Sequence, residues 1–275
     1  MTDKELLSII KHGESIDEIA RLLREGGSLF AEELLINGSS TKDINIEQFN
    51  LFLIKKFNKS LDNFLQENLT IEQVLENLNL AKNGVFLLTG LLTFSLKRHL
   101  YCPQFSVQCV SVDGSIINYT YSDNEAAFEG TIFDVFQKTM DFIGRNMKKV
   151  PETDGFNSQS KWEIPYNVFE ELLVNALVHR DYFISSTTKV LVYSDKVEII
   201  SPGKLPNSIT VENIKNGVSV LRNPVLLSTI QHILPYKGLG TGIRRSYSLY
   251  PDIIMQNKIE ENQFVVIILR PGFVK

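Results

Sequence analysis

The stretch Pro165–Ser201, PYNVFEELLVNALVHRDYFISSTTKVLVYSDKVEIIS, decides the fold because its hydrophobic period changes part-way. Val168, Phe169, Leu172, Leu173, Ala176 and Leu177 recur at helical spacing, which predicts a helix over Pro165–His179. After it the pattern predicts two strands, Lys189–Tyr193 and Val197–Ser201, and a loop at Pro202-Gly203. The alternation continues with helices near 224–234 and 242–249 and strands near Ile253–Asn257 and Gln263–Leu269. Helices interspersed with paired strands imply an α/β fold, a two-layer α+β sandwich.

Upstream, 4–11 and 16–25 each read as a short helix, and 44–98 reads as mostly helical, with Thr70 able to cap Ile71–Leu78. From Phe105 the period becomes two, and Asp113-Gly114 can turn the chain into a partner strand, Ile116–Tyr121. A long amphipathic helix is expected from Gly130 to Met147, closed by Lys148-Lys149. Residues 150–161 read as a linker. The expected organisation is therefore 1–43, 44–160 and 161–275.

The chain has 275 residues, a net charge of −4 and 43% hydrophobic residues, an ordinary globular composition. No apolar run reaches the ~18 residues of a membrane span. Met1 begins no signal peptide, so a cytoplasmic protein without a membrane partner is expected. Residues 161–275 carry 13 basic and 10 acidic side chains, leaving 15 and 22 in 1–160, which makes the C-terminal part the better host for an anion. Cys102 and Cys109 fit no metal or redox spacing and are read as thiols.

On the 165–179 helix, Asn167, Glu171 and Asn175 follow one another at four-residue intervals on one face. An amide oxygen can ligate Mg²⁺ without adding charge while a carboxylate orients water, although a solvated helix face would look the same. Gly238, Gly240 and Gly242 precede Ile243-Arg244-Arg245, so bare backbone amides lead into a helix N-terminus, a place suited to phosphate. The spacing GxGxG differs from the dinucleotide GxGxxG, and no GxxxxGK[ST] loop exists in the chain. Asn223 can cap a helix with Pro224 at its first position, and His179 reads as a structural hydrogen-bonding group.

Four segments in order, Glu171–Tyr182, Ile199–Pro206, Arg222-Asn223-Pro224 and Gly240–Arg245, resemble one family. It comprises bacterial and archaeal transcriptional regulators labelled RecG-like or divergent AAA, whose C-terminal domain is similar to a GHKL ATPase. The resemblance covers roughly residues 30–270. It implies a GHKL-like domain at 161–275, preceded by a mostly helical middle region with a β-hairpin. It further implies Asn175 as Mg²⁺ ligand, Glu171 as candidate general base, and nucleotide contacts from Ser201, Gly203, Gly238, Gly240, Thr241, Gly242 and Arg244. Ser201 stands where many GHKL enzymes carry an aspartate that reads adenine, and its hydroxyl retains acceptor lone pairs for that bond. Residues 1–43 resemble a remnant of a Schlafen/AlbA-type module, and the expectation is that most of that module and a C-terminal winged helix are missing.

The leading expectation is thus a regulatory domain that binds Mg²⁺ and ATP with slow or no hydrolysis. Its rivals are a non-catalytic dimerisation scaffold, which would make a second copy the partner, and a regulator contacting DNA or the transcription machinery.

Overall fold

A computed structural model of the chain describes residues 29–112, 114–115, 121–125, 128, 130–152, 159–206, 208–236 and 242–272. The helices expected over 4–11 and 16–25 lie outside these residues.

The first half is largely helical: α1 (Ile46–Phe57), α2 (Leu61–Gln66) and α3 (Ile71–Asn77). Ser60 and Thr70 build capping boxes with Asn63 and Gln73, so the first free N–H groups of α2 and α3 find acceptors. The apolar run at 85–94 divides between a short hairpin, β1 (Ala81–Lys82) with β2 (Val85–Phe86), and α4 (Leu88–Phe94), which is buried along its whole length. The hairpin escapes the helical reading because its strands are two residues long. After α5 (Arg98–Tyr101) come β3 (Val107–Val112) and β4 (Tyr121–Glu125), paired antiparallel with an irregularity at Ser111/Val112. Of the expected partner strand Ile116–Tyr121 and its turn, residues 113 and 116–120 lie outside the described residues; the described strand is Tyr121–Glu125.

Helix α6 (Ile132–Asn146) starts at a capping box between Thr131 and Asp134 and buries Ile132, Val135, Phe136, Met140 and Ile143. The expected linker contains a small antiparallel pair, β5 (Lys149–Pro151) with β6 (Ser160–Trp162). Then follow α7 (Tyr166–Val178), β7 (Thr188–Val192), β8 (Lys196–Pro202), α8 (Val211–Lys215), α9 (Pro224–Ile230), α10 (Gly242–Leu249), β9 (Ile253–Lys258) and β10 (Gln263–Leu269).

One six-stranded sheet runs in the order β4-β3-β7-β8-β10-β9. Every pairing is antiparallel except β3 with β7, which makes the sheet mixed. Alternate residues such as Val190, Ile199, Val266 and Ile253 join the helical side chains of α6 and α7 in one buried cluster, the two-layer α/β arrangement. The sheet draws strands from both sides of residues 150–161. Cys102 and Cys109 are buried free thiols. No helix among the described residues is long and apolar enough to cross a membrane.

Two buried charges tie distant segments together. Arg98, 2% exposed, donates from Nε to the Gly130 carbonyl (2.7 Å), from Nη1 to Phe105 (3.0 Å) and from Nη2 to Phe128 (2.9 Å). Glu32, 1% exposed, accepts from the backbone N–H of Val225 (2.9 Å) and Leu226 (2.7 Å), and so caps α9. Burial raises the Glu32 pKa, while the two backbone bonds pull it back down.

Candidate functional site

Helix α7 is buried on nearly every side, and its C-terminal carbonyls, which no helical N–H can reach, are satisfied by side chains. Ser201 Oγ donates to Ala176 (2.9 Å), Tyr182 Oη to Leu177 (2.9 Å), and Asn223 Nδ2 to Val178 (2.7 Å) and Arg180 (3.0 Å). Three of the sequence segments singled out above thus converge on one helix end and fix its position against β8. Asn223 makes no side-chain cap to its own helix, contrary to the sequence reading; Glu32 supplies that cap instead.

The helix fixed in this way presents Glu171 and Asn175 to an open cleft whose cavity volume is about 110 Å³. Glu171 is only 6% exposed, so its face of α7 is not the solvated stripe that the spacing alone permits. Asn175 Nδ2 donates to Glu171 Oε1 (2.8 Å) and to the Glu171 carbonyl (2.7 Å), which leaves the amide Oδ1 out of these bonds. Burial raises the Glu171 pKa; the Asn175 bond and the Arg245 charge lower it less. Gly242, the first residue of α10, packs on this carboxylate: a Cβ added there would lie 1.7 Å from Glu171 Oε1. Only a bare α-carbon permits that approach. Arg245 stands 3.8 Å from Glu171 Oε2, and Tyr236 lines the same end.

The other end is apolar, walled by Ile199, Met255, Phe264 and Val266 from the sheet and by Leu205, Pro206 and Ile209 opposite. Its polar groups include Ser201, Ser219, His179 and Arg222. Ser201 spends its hydrogen on Ala176, so toward the cleft it can only accept. Gly203 turns the chain out of β8 with φ +103°, and a Cβ there would lie 2.6 Å from Asp181 Cβ. Arg222 donates to the Lys204 carbonyl across this turn.

Burial, then the Arg222 charge, push His179 down to about 4, so it is neutral at physiological pH. A base depressed below its unfolded value of about 6.5 contributes stability above pH 6.5 and loses it as pH falls to about 4. His179→Gln should therefore flatten the fall in Tm between pH 6.5 and 4 relative to the parent. Parallel melting curves for the two would contradict this.

The structure brings Glu171, Asn175, Ser201, Gly203 and Gly242 to one cleft. Asn167 is exposed and outside it, and Arg244 is exposed on α10. Gly238, Gly240 and Thr241 lie outside the described residues. Sequence reasoning passed over Tyr236, gave Arg245 no role apart from Arg244, gave Arg222 none beyond its motif, and took His179 as structural; for His179 the signal was available, since it continues the four-residue series from Asn167.

Residues 186–268 match the family model described as "Putative ATP-dependent DNA helicase recG C-terminal". This segment resembles an ATPase-type domain. It runs from just before β7 into β10, taking in Ser201, Gly203 and Gly242, and leaves α7 outside. Among solved structures, the DIP2311 protein from Corynebacterium diphtheriae is similar over 92% of this chain and 50% of its own, with a TM-score of 0.67 and 18% identity. At that identity the likeness is one of fold, and the chain spans about half the length of that protein. No curated protein matches the chain.

Proposed function

We propose that the cleft binds a nucleoside triphosphate with Mg²⁺, with ATP as the ligand, and serves as a regulatory domain with slow or no hydrolysis. The observation that carries this reading is the juxtaposition of Glu171 and Asn175 with the bare α-carbon of Gly242 at the start of α10. The donor set fits a hard cation, because Asn175 Oδ1 and the Glu171 carboxylate are oxygen ligands on one helix face. Gly242 sets the start of α10 directly against the Glu171 carboxylate, so a helix N-terminus, a place suited to phosphate, lies beside these oxygen donors. The apolar end fits a planar base, with Ser201 Oγ as an acceptor for an amino group. Bound Mg²⁺ would neutralise phosphate charge; Asn175 would hold it, and Glu171 would accept a proton from water.

The family description names a DNA helicase, but without a GxxxxGK[ST] loop what transfers to this chain is the ATPase-type cleft, not strand separation. The regulatory output we propose is a contact with DNA or transcription machinery, which a salt-dependent shift of duplex DNA would reveal. Isothermal titration with Mg²⁺-ATP tests the core of the reading. The parent should bind below millimolar nucleotide, and Asn175→Ala should bind about tenfold more weakly while melting like the parent. A folded parent that ignores millimolar nucleotide would leave the scaffold reading, which Ser201 in the place of an acid favours.

A further inference from the structure

Arg245 lies three residues after Gly242 on α10, on the same face and one turn further along. Its Nη2 stands 3.8 Å from Glu171 Oε2, beyond hydrogen-bonding distance, and the charge is also felt at Glu170. The pair is loose, and the Arg245 side chain is 53% exposed. With the arginine side chain half in solvent and no hydrogen bond to the carboxylate, the guanidinium gives up little by leaving. The contrast with three buried arginines is sharp: Arg98 and Arg180 donate to backbone carbonyls at 2.6–3.2 Å, and Arg270 donates to the Tyr193 carbonyl (2.7 Å) and the Glu163 carboxylate (2.6 Å). Arg245 therefore places a loosely held cation beside the Glu171 carboxylate, which lines the cleft, and beside the close approach at Gly242.

We propose that Arg245 reads the terminal phosphate of the bound nucleotide, exchanging its loose contact with Glu171 for a bidentate contact with that phosphate. The proposal rests on the nucleotide reading above and adds to it a distinction between triphosphate and diphosphate. A guanidinium fork matches phosphate geometry and gains shorter, charge-assisted bonds than it now has. The terminal phosphate brings oxygens and charge that a diphosphate lacks at that place, so the gain falls on one ligand. Arg244, about 100° round the helix and exposed, does not share this position.

Calorimetric titration of the full chain with Mg²⁺-ATP and, separately, Mg²⁺-ADP tests it. The parent should prefer ATP. Arg245→Gln should weaken ATP binding about tenfold or more and ADP binding less than about twofold. Arg245→Lys should retain part of the preference. Loss of ATP and ADP affinity in step, or no loss in Arg245→Gln, overturns the role of Arg245 while the cleft reading stands. A parent that binds neither nucleotide overturns both.

Discussion

Glu171→Gln should leave nucleotide binding in place and lower turnover by about 10²-fold or more. The substitution keeps the shape and the oxygen that accepts from Asn175 Nδ2, so the helix face hardly changes. What disappears is the capacity to take a proton from water. Burial has already made that proton easier to hold by raising the Glu171 pKa, which suits a base. The same shift has a sign for stability. A carboxylate whose folded pKa is raised contributes stability below its unfolded value, about 4.3, and loses it as pH rises through the folded value. The glutamine variant, lacking that charge, should melt at least as high as the parent at neutral pH. Phosphate release by parent and variant, with affinity measured separately, is the decisive pair of assays. If the domain only binds, the parent releases no phosphate above background, and the variant differs by a modest gain in affinity from removing a negative charge near the phosphates. Variant turnover equal to that of a clearly active parent would remove Glu171 from the chemistry.

The second large effect concerns the fold. Arg98→Met should destabilise the chain by about 3–5 kcal/mol, because three carbonyls, of Gly130, Phe105 and Phe128, lose their donors in the interior. Gly130 leads directly into the Thr131 cap of α6, so the start of that helix loosens along with the 103–105 turn. Methionine fills part of the volume without supplying a hydrogen bond. Urea unfolding followed by circular dichroism measures the loss, and a change below about 1 kcal/mol would show that water or backbone rearrangement satisfies those carbonyls.

Helices α6 and α7 and the strands β7, β8, β9 and β10 were legible because each carries its own period over five or more residues. The convergence of Glu171 and Asn175 was legible for the same reason, since four-residue spacing on a helix fixes a common face. Three kinds of feature were not. The parallel pairing of β3 with β7 joins segments about 80 residues apart, and no local pattern encodes it. Burial of the Glu171 face depends on α10 lying across it, which the polarity of the stripe conceals. Whether Arg244 or Arg245 turns toward the cleft depends on helical phase, and one residue is about 100° of rotation.

The carboxylate of Glu32 meets backbone N–H groups 193 and 194 positions later in the chain. At a synthesis rate of about 5–20 residues per second, roughly 10–40 seconds separate the emergence of that acid from the emergence of its partners. During this interval Glu32 stays hydrated and charged, while its neighbours Leu34 and Ile36 can already pair with Leu88 and Phe86. Biosynthesis therefore leaves this one contact unmade until residues 225–226 arrive, and any chain cut short before that point exposes an acid that the finished molecule hides.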